Sequence, residues 1–379
     1  MKTLSAAAFL FLLSAGGGAA GAEADISEKA YDAAVTLREA GKYTEAEQAL
    51  RTLVEARTKA RGAEHRETLL ARMQWVVVLI KRDHNAAAEA EAQALLPVLK
   101  RVLGEEDPRT LQCRGILVCA MWEQGKQAEV EKECRTLIPA MARVLGPEDA
   151  MTLVLRGALA DALSDLGKFD EAEPALRQVL GIYERLQGTD GKETLMARHN
   201  LATLLAQEEE YAEAEVLLRA VLATQVRVIG AEHEDTLNTR NSLAVVLKAE
   251  KKYAEAEKEL SSVIAISSRL LGPEDEATLR SRAGRAELLG RLGQKEAAVQ
   301  EHQSVLGVME RVLGADHPAA LGACYSLAWS LAENRQMADA LRYAQRAYEG
   351  RLKLLGSEHP DTHKSREQVD RLTKPEARA

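Results

Sequence analysis

The chain has 379 residues, of which 46% are apolar, 28% charged and 4% aromatic, with a formal net charge of −8. That apolar content excludes a disordered chain, and an acidic balance without a Lys/Arg block excludes an electrostatic footprint for nucleic acid or an anionic membrane surface. The length would fill about two or three ordinary domains, but the pattern along it argues for one long repetitive domain.

Residues 1–24 stand apart: Lys2, an apolar run from Leu4 to Leu13, three glycines at Gly16, Gly17 and Gly18, then Ala22-Glu23-Ala24. This is the layout of a secretory signal peptide. Its apolar core is shorter than the ~20 residues of a membrane-spanning helix. Cleavage after Ala24 is favoured over cleavage after Ala22, giving a secreted or periplasmic protein with no membrane insertion after processing. An uncleaved anchor or a merely alanine-rich start of a cytoplasmic protein is the alternative. The expected organisation is a signal peptide over 1–24, a solenoid over 25–373 and a disordered tail over 374–379.

From there one phrase recurs eight times, with Gly62, Gly104, Gly146, Gly188, Gly230, Gly272, Gly314 and Gly356 each 42 residues apart. A fixed period of that size means a solenoid of copied units. Within a period, a stretch such as 194–207 carries apolar residues at helical spacing, and the stretch after Glu208-Glu209-Glu210 does the same, so each unit is a helical hairpin. Turns are expected near 41, 83, 125, 167, 209, 251, 293 and 335. The second helix should end at the recurring glycine in a left-handed conformation. The next helix should start at the column His65, Asp107, Asp149, Gly191, His233, Asp275, His317, His359, followed by proline at 108, 318 and 360. Asp before Pro is an N-cap before an N1 proline. The four histidines of the column interchange with Asp and Gly, so they read as caps and not as metal ligands. A ninth helix over about 360–373 should be a polar cap, because Asp370 and Thr373 stand where earlier repeats carry apolar residues.

Small residues form columns through the array, at Ala46, Ala88, Ala172, Ala214, Ala256, Ala298 and Ala340, and at Ala34, Ala160, Ala202, Ala244, Ala286 and Ala328. Large residues such as Leu201, Leu205, Leu243 and Leu247 fill the spaces between them. Cys113, Cys119, Cys134 and Cys324 form no CxxC pair, and Cys134 falls in a column otherwise held by Leu50, Leu176, Leu218 and Leu260; they read as small buried hydrophobes. Two charged columns recur. One is Arg72, Arg114, Arg156, Arg198, Arg240 and Arg282, replaced by Cys324 in the last hairpin; the other is the acidic loop position Glu64, Glu106, Glu148, Asp190, Glu232, Glu274, Asp316 and Glu358. Because both run through the whole array, the expectation is structural: each arginine braces a loop carboxylate. A ladder for an acidic peptide is the functional alternative.

The large-small-x-x-large and small-x-x-x-aromatic pattern, met by Leu201, Ala202, Leu205, Ala214 and Leu218, resembles the tetratricopeptide-repeat family from about residue 26 onward. The 42-residue version, with LG-x-E-H/D-P-x-T-L, N-x-L-A and GKY-x-EAE, is similar to the repeats of kinesin light chains. The signal-like segment leads straight into the repeats without a heptad coiled coil, so a motor role is not expected. The resemblance implies an all-α, right-handed superhelical solenoid of eight helix-turn-helix repeats plus a C-terminal capping helix. It also implies a non-catalytic scaffold or adaptor that holds a protein or peptide segment in its concave groove. A self-associating structural envelope protein is the second reading and an enzyme with an unrecognised site the third; a cytoplasmic adaptor similar to kinesin light chains follows if the N-terminal segment is not a signal peptide. No HExxH, GxSxG, Walker or GxGxxG phrase occurs, so neither an enzyme nor a bound metal or cofactor is expected.

Laying the family's helix pattern on the chain gives groove positions that differ between repeats. They are Leu70, Met73, Val77 and Ile80, then Cys119 and Trp122, then Asp161, His199, Thr203, Asn238 and Asn241, and finally Tyr325 and Trp329. The apolar stripe of repeats two and three is expected to meet the apolar side of a peptide, with Asn200 and Asn241 bonding its backbone. The alternative is that this stripe is covered core.

Overall fold

A computed structural model describes residues 22–357 and 359–374. Most of the signal-like segment (1–21) and the end of the tail (375–379) lie outside the described residues, whereas Ala22, Glu23 and Ala24 belong to the first helix. The order is α1 (Ala22–Glu39), α2 (Tyr43–Arg61), α3 (Arg66–Lys81), α4 (Asn85–Val102), α5 (Pro108–Glu123), α6 (Gln127–Val144), α7 (Ala150–Asp165), α8 (Phe169–Gln187) and α9 (Lys192–Gln207). Next come α10 (Tyr211–Val228), α11 (Glu234–Ala249), α12 (Tyr253–Leu270), α13 (Glu276–Arg291), α14 (Lys295–Leu313), α15 (Pro318–Glu333), α16 (Met337–Leu355) and α17 (Pro360–Thr373). Among the described residues there is no strand. The odd-numbered helices α3 to α15 are the first helices of their repeats, and each has 16 residues. The helices fall into two compact units, one ending at Glu208 and one starting at Glu209. Each is a stack of antiparallel helices in which neighbours along the chain pack together.

Two backbone reversals per repeat make the hairpins. All eight loop glycines have φ between +74° and +111°. The sequence leads one to expect a left-handed helical residue, but where the glycine closes the helix, ψ is 156° at Gly62, −178° at Gly188, 155° at Gly314 and 171° at Gly356. Positive φ with extended ψ is a region that essentially only glycine occupies. No atom stands within 4 Å of a Cβ built at any of the eight, so the dihedral and not the space demands glycine. The other reversal falls at the expected positions and is milder. Gly41, Gly125, Gly167 and Gly293 have positive φ, and so do Asp83, Glu209, Lys251 and Arg335 at φ of 58° to 66°. The following amide closes the helix by bonding back five residues, as from Lys252 N to Leu247 O at 2.8 Å.

After the loop glycine the cap column starts the next helix as expected. Asp107 accepts from Arg109 N at 2.8 Å, Asp149 from Met151 N at 3.0 Å and Asp275 from Ala277 N at 2.9 Å. His233 and His359 do the same through Nδ1, at 3.2 and 3.1 Å. The loop is tied once more by a buried threonine three residues beyond the cap. Thr68, Thr194 and Thr236 donate their hydroxyls to the carbonyls of Gly62, Gly188 and Gly230 at 2.8–3.0 Å.

Between helices, the two alanine columns are buried throughout, which lets the backbones approach while leucines such as Leu201 and Leu243 interdigitate. The four cysteines are free and buried. Burial pushes the thiols of Cys113 and Cys134 up to about 12 and that of Cys324 to about 11, so they behave as inert hydrophobes. His302 occupies the column of Leu218 and Leu260 and is buried. Loss of solvation outweighs the attraction of Glu287 and Glu301 and lowers its imidazole to about 4. The cap helix α17 exposes Asp370 and Thr373 as expected, yet it also seats Leu372 and Gln368 against the last hairpin, with Gln368 Nε2 donating to Tyr325 O at 3.0 Å.

These placements set the sign of several substitutions. Lys251→Gly and Arg335→Gly, which remove a left-handed L-residue, should each raise stability by about 0.5–1 kcal/mol, whereas Gly272→Ala should lower it by about 1–3 kcal/mol; denaturant midpoints decide both. His302 has a lower pKa folded than its ordinary 6.5, so the unfolded chain binds the proton first and stability falls as pH drops from about 6.5 to about 4. His302→Leu should remove that fall, on the order of 3 kcal/mol, in unfolding curves taken across the window.

Candidate functional site: the face of the first helices

The first helix of each hairpin turns one side to its partner helix, and there the arginine column finds its carboxylates. Arg72 bonds Glu91 at 2.7 Å, Arg114 bonds Glu133 at 2.7 Å and Arg282 bonds Glu301 at 2.8 Å; Arg240 pairs with Glu259. The partner lies 19 residues on, in the second helix of the same hairpin, and not in the loop. The structural role expected of the arginines holds, but their expected partner is corrected. Where position +19 is Ala175, Arg156 turns to Gln178, and where it is Leu217, Arg198 turns to Glu184 at 2.6 Å. In the last hairpin both members change together, to Cys324 and Tyr343. The four ion pairs are part-buried between the helices, and Arg156 and Arg198 are engaged by Gln178 and Glu184, so the column is not a free ladder for an acidic peptide.

The loop acids belong to a different series, the basic residue near the end of the second helix 37 positions later. Arg185 bonds Glu148, Arg311 bonds Glu274 at 2.7 Å, and Arg101, Arg143 and Arg269 bond Glu64, Glu106 and Glu232. A third series explains the GKY-x-EAE phrase. The turn lysine reaches the preceding repeat's second helix, from Lys126 to Glu89 at 2.6 Å, Lys168 to Glu131 at 2.7 Å and Lys252 to Glu215 at 2.6 Å. The Lys252 bond, helped by Arg219, holds the Glu215 carboxyl down at about 2.

The opposite side of the first helices is the expected groove face, and the two units differ there. In the first unit, Met73, Val77, Ile80, Cys119 and Trp122 are buried in one apolar cluster with Leu69, Ile116 and Leu155. His199 and Asn200 are buried as well. The expectation of an open apolar stripe in repeats two and three is therefore corrected: α3 and α5 are apolar around nearly their whole circumference, and such a helix is core. Asp161 on α7 is half-buried, and loss of solvation together with the neighbouring Asp165 raises its carboxyl well above the usual range. Asn200 borders a cavity of about 10 Å³ among Leu153, Val154, Gly157, Tyr183 and Met196, room for a water molecule and not for a ligand.

In the second unit the corresponding face is solvated. Asn238 and Val245 on α11 and Glu287 on α13 are exposed, and Asn241 is half-buried, accepting a bond from Ser281 Oγ at 3.3 Å. On α15, Tyr325 and Trp329 form an edge-to-face pair with ring centroids 6.4 Å apart and planes at 82°. Arg351 of α16 lies over the Tyr325 ring at 5.1 Å and Arg371 of the cap helix α17 over the Trp329 ring at 5.0 Å, so two successive helices hold one ring each. Lys248 and Glu287 bridge α11 and α13 at 3.0 Å on the same face. Of the ten residues expected to contact a partner, the structure thus brings Asn241, Tyr325 and Trp329 to an accessible surface and places the other seven in the interior. The exposed Asn238 and Val245 complete that surface.

Two family models, each described as tetratricopeptide repeat, match the chain, one over 193–258 and 241–311, the other over 31–67, 152–190 and 321–361. Between them they span well over half of it. No curated protein matches. Among solved structures, a Rap protein complexed with Competence and Sporulation Factor aligns over 92% of this chain and 97% of its own, at 12% identity and a TM-score of 0.58. A tetratricopeptide repeat protein from Parabacteroides merdae aligns over 81% of this chain and 99% of its own, at 14% identity and a TM-score of 0.55. A Podosopora anserina protein with nearly identical TPR-like repeats, assigned as a kinesin light chain, aligns over 52% of this chain and 94% of its own, at 26% identity and a TM-score of 0.49.

The burial of Trp122 sets a measurable consequence. Trp122→Ala should lower unfolding stability by about 3 kcal/mol, read from denaturant midpoints. A change under about 0.5 kcal/mol, the range of surface substitutions, would return Trp122 to the surface.

Proposed function

Because the chain belongs to the tetratricopeptide-repeat family, we propose that it is a non-catalytic scaffold that holds a protein or peptide segment against the first-helix face of its second unit. The observation that carries this reading is the aromatic pair of Tyr325 and Trp329, held in fixed orientation by two guanidinium groups on the same face as Asn238, Asn241 and Val245. Rigid aromatic rings beside amides suit an extended or helical segment: the rings take apolar side chains and the amides take backbone groups. The Rap protein, similar in fold alone, is complexed with Competence and Sporulation Factor, which shows that such a fold can serve binding. The first unit then acts as the rigid part of the scaffold, its own first-helix face being largely core.

The test is site-specific photo-crosslinking in the native source. A benzophenone residue at Val245 or at Glu287 should yield a discrete adduct, and one at the exposed Val216 on α10 should not. Equal labelling from all three positions, or none from the first two, removes the reading. With the partner in hand, Trp329→Ala should weaken capture by roughly tenfold, about 1–2 kcal/mol, without loss of the helical signal.

We propose further that the protein works after export, in a secreted or periplasmic setting, on the strength of the segment from Lys2 to Ala24. N-terminal sequencing of the mature protein should begin at Asp25, or at Glu23. A mature chain retaining Met1 or Lys2 makes it a cytoplasmic adaptor instead.

A further inference from the structure

We infer that the ends of the second helices in the second unit form a docking ridge for a second copy of this chain. Four aliphatic residues recur at 42-residue spacing in the last turn of α10, α12, α14 and α16: Val228, Leu270, Val312 and Leu354. Beside them stand Ile229, Leu271 and Leu355, and the seven side chains are between 40% and 59% exposed. Helix termination does not require this. In the first unit the same positions are mixed: Arg61 and Gln187 interrupt the column of Ile229 and Leu271, and Ala60 interrupts that of Val228 and Leu270. The fold therefore accepts small or polar residues at these positions, and the second unit is aliphatic at each of them. Surface of this kind in register along a stack marks an interaction site.

The charges alongside say what covers it. Each rung carries one base and one acid, as in Arg269 with Glu232, Arg311 with Glu274 and Lys353 with Asp316, both partners more than half exposed. A neutral ladder of alternating sign, repeating at the packing distance of helix pairs, is complementary to itself when turned end for end. A two-fold axis between Leu270 and Val312 sets Leu270 against Val312 of the second copy and Val228 against its Leu354. Along the chain the charges alternate as Glu232, Arg269, Glu274, Arg311, Asp316 and Lys353, and an order that alternates along the ladder meets its opposite when reversed end for end. The ridge exposes on the order of 500 Å² of aliphatic surface per copy, so two copies together bury roughly 1,000 Å², near the ~1,200 Å² at which stable interfaces begin. The flanking charges extend the contact. The pair is thus a reversible dimer. It uses a surface separate from the first-helix face and stands or falls independently of the peptide-binding reading.

The test is gel filtration with light scattering on the full chain over a concentration series. The wild type should rise toward twice the mass of one chain. Leu270→Glu with Leu271→Glu should hold it at one chain mass with an unchanged far-UV circular dichroism signal, and Val216→Glu, at an exposed site elsewhere on α10, should dimerise as the wild type does. Should the double change cost helicity, the single Leu271→Lys answers the same question. A wild type that stays monomeric throughout, a ridge variant that dimerises unchanged, or a Val216→Glu protein that dissociates equally overturns the proposal.

Discussion

The rest of the structure depends on a backbone that reverses after every second helix at positive φ, with extended ψ at Gly62, Gly188, Gly314 and Gly356. Glycine alone reaches that conformation without strain, and it appears at all eight loops. The segment beyond the glycine is equally constrained. The cap residue starts the next helix two or three residues on, and where the buried threonine bonds the glycine carbonyl, the entry angle of that helix is fixed. With both ends tied, no residue can be gained or lost, and every first helix from α3 to α15 has the same 16 residues. The separations of 19 and 37 residues between ion-pair partners are consequences of that invariant length.

Features that depend on local chain chemistry were legible from the amino-acid order. The loop glycines, the cap column with its prolines and the turn positions from 41 to 335 all stand where spacing placed them, because capping and reversal act within a few residues. The alanine columns were legible for a similar reason: a small residue recurring at a fixed period marks close approach whatever the partner. The arginine partners were not legible from proximity in sequence, since the side chain reaches across the hairpin. The signal was nonetheless present as glutamate at position +19, and its replacement by Ala175, Leu217 and Tyr343 matches the places where the arginine turns elsewhere or is absent. The groove was legible only as a face. A helix pattern says which positions share a side but not what covers that side, and Met73, Val77 and Trp122 proved to be core while Tyr325 and Trp329 remained accessible.

The two units therefore divide the labour of a stacked array unequally. In the first, α3 and α5 spend nearly all their circumference on packing, and Cys113, Cys119 and Cys134 are buried there as free thiols. In the second, α11 and α13 keep polar side chains such as Asn238 and Glu287 exposed, and His302 introduces a titratable group into a buried column of the second helices. Close packing and an accessible first-helix face thus reside in different stretches of one chain.

The ion-pair separations also govern how such a chain can change length. Partners 19 or 37 residues apart lie within one period of 42, and the loop acids from Glu64 to Asp316 and the bases 37 positions later keep their columns in every repeat. A block of one period can thus be duplicated or excised in register, and each remaining loop carboxylate of that series still meets a base. Copy number becomes a quantity that unequal exchange can adjust without inventing any new contact. Only α17, with Asp370 and Thr373 facing water where a further hairpin would need alanine and leucine, must stay at the end.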